Sequence, residues 1–458
     1  MISFLTRRLK PHFSDTRFSE ILRGSIWALS ARVLAALLTL AVGVVVARGY
    51  GAGAMGVLAT VQSYLALATI FTVLGTNTSI LRLIPEHVGA YSVASAFRVY
   101  RKTQYLVTGV SLAAGVLLFL LSGVVADRIF SKPHLSFSFA LAACFVVFKS
   151  LMDLNTQAVR GLRIIRFFAF LQVLPALAML VILVTGTFLF RVKDGPVYAQ
   201  LAAWACTAAL GAWVMDRAFR QRMQPEDRVQ DVPVREILAI SLPMLMTASM
   251  HVVIAQAGVI MLAAFRSEAE VGYYDTTVKL ATLTSYVLAS VNSMAAPRFS
   301  ELFHSGRIDE LFFVARRSAK LIFWTTAPIL LGLVLLGKPL LRTLFGQEFV
   351  VAYPALVFLA LGQFVNSTSG STGMFMNMTG RQTTFRTIML LAALLNVSLN
   401  AVAIPRFGVT GAAFSAMASV VFWNVATLVS IKATHGRTTG YFPGFSRLPG
   451  GLTPGKHG

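Results

Sequence analysis

Charge is scarce in this sequence. Charged residues fill only 13% of 458 positions, and the acidic ones number 18 against 40 basic. A soluble domain usually carries about twice that charged fraction. So little polar surface cannot cover a chain of this length in water, which excludes an ordinary soluble enzyme and makes lipid part of the solvent. Cysteine is nearly absent: Cys144 and Cys206 are both set in apolar stretches, leaving no disulfide framework and no metal-ligand spacing. No Asp-x-Asp pair suited to a sugar-nucleotide metal site occurs, and His87, His134 and His304 stand without metal-like spacing. Long polar stretches are also missing. A membrane glycan polymerase or ligase would be expected to need a large extracytoplasmic loop for its catalytic residues, and none is present, so the reading is a transporter and not an enzyme.

What the sequence does have is long apolar runs, with a mean hydropathy of +0.71. At roughly 20 apolar residues per membrane crossing, spans are expected near 24–48, 54–82, 103–127, 134–159, 167–190 and 195–216. A second set is expected near 236–265, 271–297, 317–342, 350–378, 384–404 and 408–431. The expected fold class is therefore an all-α polytopic membrane protein of about twelve transmembrane helices. No cleavable signal peptide is expected, because the first apolar run outlasts a signal h-region.

The net charge of +22 would suggest nucleic acid in a soluble protein, but here the basic residues fall in the short connections. With the N-terminus inside, 28 Lys and Arg lie on the cytoplasmic side and nine on the other (Arg48, Arg128, Lys132, Arg191, Lys193, Arg266, Lys338, Arg342 and Arg406). The positive-inside rule then puts both termini in the cytoplasm of a multi-pass inner-membrane protein, with no nucleic-acid partner. Residues 1–23 read as a basic segment on the cytoplasmic leaflet, attracted by anionic membrane lipid. Residues 217–235 read as a polar linker and 435–458 as a cytoplasmic tail.

The linker divides two halves, 24–216 and 236–434, that share landmarks. Gly56 answers Gly272 at an offset of 216, Pro85 answers Pro297 at 212, Gly161 answers Gly380 at 219, and Gly195 answers Gly411 at 216. Six spans is an even number, so the halves enter the bilayer in the same sense and form a parallel repeat about an axis along the membrane normal.

The run Ala47-Arg48-Gly49-Tyr50-Gly51, then Gly56, Leu74-Gly75 and Arg82-Leu83-Ile84-Pro85-Glu86, resembles the start of Wzx-type polysaccharide flippases. Gly411-Ala412-Ala413 at the head of the last span fits the same group, which belongs to the multidrug/oligosaccharidyl-lipid/polysaccharide exporter superfamily. The resemblance implies two lobes around a central cavity that opens alternately to each side. It also implies an undecaprenyl-pyrophosphate-linked oligosaccharide as cargo, moved from the cytoplasmic to the periplasmic leaflet, with polysaccharide polymerase machinery as an associate. Relatives that flip the peptidoglycan precursor usually have two further helices, which are not seen here. A single-chain repeat is compatible with a monomer.

Charge inside the bilayer marks the candidate site, since each such residue costs roughly 2.5–3.5 kcal/mol at a helix centre. Arg32 has no acid in its own span and suits bidentate contact with a pyrophosphate; the plain alternative is snorkelling to the headgroups. Lys149 and Asp153, and again Asp275 and Lys279, stand four apart on one helix face. Each pair is either a self-neutralising bridge or a lysine that an anionic cargo can claim, with Asp153 and Asp275 as candidates for coupling to H+ or Na+. His251 could titrate near neutrality. Asn77 and Asn292, 215 apart, are matched polar points for sugar contact or interhelical hydrogen bonds. Pro243 is a candidate hinge. No cofactor is expected. Three basic residues within the spans against two acidic ones favour an anionic cargo over the organic cations of a multidrug antiporter, the alternative on the same fold.

Overall fold

The computed structural model describes residues 16–189, 194–224 and 230–443; the side chains of residues 16–26, 28–29, 187–189 and 247–248 are outside that description. Most of the basic leader, residues 225–229 of the linker and residues 444–458 of the tail also fall outside it. Among the described residues there is no strand. The helices are α1 (Thr16–Val73), α2 (Thr76–Ala90), α3 (Val93–Leu120), α4 (Ser136–Gly161), α5 (Ile165–Leu189), α6 (Gly195–Arg220) and α7 (Val234–Phe265). They continue with α8 (Glu268–Thr282), α9 (Ser285–His304), α10 (Ile308–Leu335), α11 (Gly337–Leu344), α12 (Tyr353–Ser369), α13 (Thr372–Met378) and α14 (Gln382–His435).

Eight of these elements are long and apolar enough to cross a membrane, and a bent pair within α7 makes a ninth. Two of them are hairpins. The backbone leaves helical geometry at Gly51 in α1 and at Gly408 in α14. Around these points the arms fold back: Val42 and Val46 pack with Met55 and Leu58, and Asn396 reaches Ser419 across the second turn. A further span is split between α8 and α9, where hydrogen bonds slacken to an i→i+3 pattern at Leu280, Leu283 and Thr284. Counting each hairpin as two, twelve spans result among the described residues. They pack as two bundles, α1 to α6 and α7 to α14.

Several helices outrun the apolar segments that announce them. The second span continues through α2 to Ala90, the third begins at Val93, and the eighth runs from Glu268 to His304. Backbone hydrogen bonding does not stop where hydropathy falls, so the helices run on past their apolar segments. The expected ninth span over 317–342 is corrected to 308–335, because the chain turns at Leu336 and starts the separate helix α11.

The second span breaks at Leu74 and Gly75, both with positive φ. A Cβ at Gly75 would sit 2.4 Å from the Ser241 carbonyl oxygen of α7, so only glycine lets the two helices approach there. Ser79 and Ser241 then meet at 2.6 Å in the buried seam. Higher up, Ser63 donates to Gln256 at 2.7 Å, so α1 and α7 hold the lobes together along one side.

Candidate functional site

The face carrying Thr16 and His435 is here called the terminal face, and its counterpart the far face. At the far face the lobes are shut. Arg48, ending the first span, donates to the carbonyls of Arg342, Thr343 and Leu344 at 3.2, 2.6 and 3.1 Å. Those are the orphan carbonyls at the end of α11, whose dipole favours a cation. Glu348 answers by accepting from the Ala52 amide at 3.2 Å, where the second arm of α1 begins. His134 and Glu268 meet at 2.5 Å. Each of these contacts joins one lobe to the other.

Toward the terminal face the other side of the lobe boundary is open, for α9 scarcely touches α1. A cavity of about 430 Å³ lies there, lined by Arg32 and Ala35 of α1, Gln172 of α5, and Tyr286 and Ala289 of α9. Arg32 projects into it half-buried, with no ion pair among the described residues. Its charge is felt by two neighbours, the Tyr286 phenol and the Arg160 guanidinium at the end of α4. Arg160 lies over the Phe168 ring at 5.4 Å and also lacks a carboxylate partner among the described residues. Arg32 therefore stands in a cavity at the lobe boundary with the exposed Arg160 outside its lining but within electrostatic reach, and neither has an acid partner among the described residues. Such a site fits an anion of at least two charges.

The lysines are situated differently. The Lys149 ammonium is 2.5 Å from Asp153 and lies over the Trp204 ring at 5.7 Å. The Lys279 ammonium is 2.6 Å from the Asp275 carboxylate, with both side chains mostly buried. Both pairs are self-neutralised in this conformation, and neither lines the Arg32 cavity. Asn292 is half-buried one turn beyond Ala289, its carbonyl oxygen without a hydrogen-bond partner. Asn77 sits just after the Gly75 break and accepts a long 3.4 Å contact from Thr78. His251 is exposed, 6.5 Å from the Phe385 ring. α7 bends by 47° between Met246 and Ser249, a turn past Pro243. A proline ring displaces the carbonyl four residues before it, so the bend lies on the other side of Pro243 from that disturbance.

Sequence reasoning missed Arg160, Gln172 and Tyr286. Arg160 was absorbed in the basic excess of the short loops, and only the packing of α4 beside α1 brings it to Arg32. The second lobe also holds a buried neutral cluster that the search for charges passed over: Asn400 donates to Asn396, and Asn396 to Ser419, at 3.0 and 3.1 Å.

Residues 21–303, more than half the chain, match the family described as polysaccharide biosynthesis protein. A probable low-salt glycan biosynthesis flippase, Agl15 of Haloferax volcanii, is 23% identical over 174 residues, covering 37% of this chain and 37% of that protein. The chain thus aligns with little more than a third of that relative's length. An uncharacterized membrane protein of Methanocaldococcus jannaschii is 18% identical over 86% of this chain and 81% of its own. Among solved structures, the lipid II flippase MurJ in an inward closed conformation superposes with a TM-score of 0.70 at 14% identity, covering 90% of this chain and 87% of that one. A multidrug resistance MATE family transporter of the MOP superfamily, inward-facing, gives 0.71 at 15% identity, covering 90% and 98%. At such identities these two likenesses concern the fold alone.

Proposed function

The chain belongs to the polysaccharide biosynthesis protein family, and from that premise we propose that it flips a pyrophosphate-linked lipid oligosaccharide, of the undecaprenyl type, across the inner membrane for surface polysaccharide assembly. The terminal face is cytoplasmic in this proposal, as the distribution of basic residues favours, and the far face periplasmic. The observation that carries the reading is Arg32, a guanidinium without a carboxylate partner among the described residues that lines a cavity at the lobe boundary, with Arg160 near it at the end of α4.

The lobes supply alternating access by rocking. In the conformation described, the far face is latched through Arg48, Glu348 and His134, and the cavity opens beside α1 and α9. A pyrophosphate entering there meets Arg32 and Arg160, while the polyprenyl tail stays in lipid alongside. This spares the headgroup a passage through hydrocarbon, where burying its charge would be prohibitive. Asp153, Asp275 and His251 are the groups proposed for H+ or Na+ coupling. Lys149 and Lys279 reach the cargo only after leaving their aspartates. Asn77 and Asn292 offer amides to the sugar, and Pro243 is retained as a hinge beside the bend of α7.

A cation exporter on the same fold is the second reading, and the same cavity opposes it, because an organic cation would meet the unpaired Arg32. The test is reconstitution in liposomes with a fluorescent polyprenyl-pyrophosphate oligosaccharide on one leaflet. Its appearance on the other leaflet supports the proposal. Extrusion of a cationic dye without lipid movement would replace it with the exporter.

A further inference from the structure

A second cavity, of about 500 Å³, lies away from the lobe boundary, lined by Trp213, Asp216, Arg217, Arg220 and Gln221. These positions recur at three and four, so they form one face of the last turns of α6, where it meets the terminal face. Basic residues at a helix C-terminus are ordinary, since the dipole favours them. Their arrangement here goes further. Asp216 accepts from two guanidinium groups at once, Arg101 of α3 at 2.5 Å and Arg220 at 2.7 Å. Arg217 has no carboxylate among the described residues and lies over the Trp213 ring at 5.5 Å. Asp216 thus fixes two guanidinium groups in place, Arg220 and the neighbouring Arg101, while Arg217 is left unpaired, so the two arginines and one aspartate of the lining leave the cavity with an excess of one positive charge.

Its surroundings are those of a lipid seat. Trp213 is 55% exposed and Tyr105, on α3, 70% exposed, as aromatic side chains at the headgroup level are. From Tyr105 an exposed apolar stripe runs up α3 through Leu112, Val116 and Leu120, away from the terminal face. α3 and α6 both pack on α4 and touch each other little.

We propose that this cavity binds the headgroup of an anionic phospholipid, with its phosphate on Arg217 and Arg220, its glycerol edge against Trp213 and an acyl chain along the α3 stripe. Charge selects the occupant. A zwitterionic headgroup brings an amine that the exposed arginines repel, whereas an anionic one satisfies the excess charge. The site is separate from the Arg32 cavity and does not depend on what the protein transports.

The test uses the full chain in mild detergent, titrated with phosphatidylglycerol, with phosphatidylcholine of the same acyl chains, and with inorganic phosphate. Thermal midpoint and lipid retained in native mass spectrometry are read. Phosphatidylglycerol is expected to raise the midpoint and remain bound, while the other two do neither. Arg217→Gln/Arg220→Gln is expected to weaken that binding about tenfold or more, and Arg386→Gln, an exposed arginine elsewhere, to leave it unchanged. Should the double variant fail to fold, brominated phosphatidylglycerol decides on the native side chains: it quenches part of the tryptophan emission, and Trp213→Phe removes that part. Equal binding of both lipids, a double variant that keeps its preference, quenching that survives Trp213→Phe, or full competition by inorganic phosphate would each overturn the proposal.

Discussion

Gly56 and Gly272, separated by 216 positions in sequence, lie against each other across the lobe boundary. A Cβ on Gly272 would stand 2.2 Å from the Ala52 oxygen and 3.1 Å from the Gly56 nitrogen. A Cβ on Gly56 would stand 1.7 Å from the Glu268 oxygen. Ala52 and Glu268 share the same offset of 216, so each glycine receives the backbone that the other half presents, as in a two-fold interface.

Gly272→Ala should therefore part the lobes at the far face. A methyl cannot be placed so close to backbone without moving a whole helix, so the latched conformation is disfavoured by several kcal/mol. The expected outcome is a folded protein whose far-face positions, tested as single cysteines near Ala52, become reactive to an impermeant maleimide. Unchanged protection would contradict the contact.

Arg48→Gln is predicted to weaken the same latch by a gentler route. Three carbonyls at the end of α11 lose a charged donor that is partly in solvent, worth about 1 kcal/mol. Far-face opening should rise roughly fivefold, read by the same labelling, with the thermal midpoint little changed. A loss of the fold instead would make Arg48 a structural residue of α11 and not a latch.

The paired lysines call for a double substitution. Lys279→Met leaves Asp275 charged and mostly buried, at about 3–5 kcal/mol, and should sharply lower the yield of folded protein. Asp275→Asn/Lys279→Met removes both charges and should recover the yield, with transport well below wild type, because the proposed coupling carboxylate and the lysine that reaches the cargo are both gone. Recovered folding with transport within about threefold of wild type would contradict both proposed roles.

Much of this molecule is legible in its sequence, for reasons that differ by feature. The spans follow from what hydrocarbon demands of every backbone amide. The repeat showed in glycines because Gly56 and Gly272 are sites where no side chain fits. Arg32 stood out because an unaccompanied charge in an apolar run is costly. Its companions did not. Arg160 looks like any loop arginine until α4 and α1 are packed together, and Gln172 and Tyr286 carry no pattern of their own. The Leu74-Gly75 break was visible as a motif, but its purpose depends on Ser241, in the other lobe. The far-face latch is similarly hidden, since Arg48 is bound by backbone carbonyls, which no sequence displays.

The linker offers a pH prediction. Asp231 lies 2.7 Å from the Lys102 ammonium, and Gln230 donates its amide to Ser95 at 2.8 Å, fastening the linker to α3. The hydrogen bond from Lys102 holds the Asp231 carboxyl below its usual range. A depressed carboxylate adds stability above its unfolded pKa and loses it as pH falls through the folded value. Asp231→Asn should thus melt slightly below wild type at neutral pH, by little because the pair is exposed, and the difference should vanish in acid. A difference that persists in acid would place its cause elsewhere.

The central claim is that Arg32 and Arg160 together read a pyrophosphate. Binding of a polyprenyl pyrophosphate and of the matching monophosphate, measured side by side on wild type, Arg32→Gln and Arg160→Gln, tests it most directly. The account predicts that wild type prefers the pyrophosphate by about tenfold or more, a charge-assisted contact being worth roughly 1.5–3 kcal/mol, and that either substitution removes most of that preference. Equal affinity for the two lipids in wild type, or a preference that survives both substitutions, would contradict it.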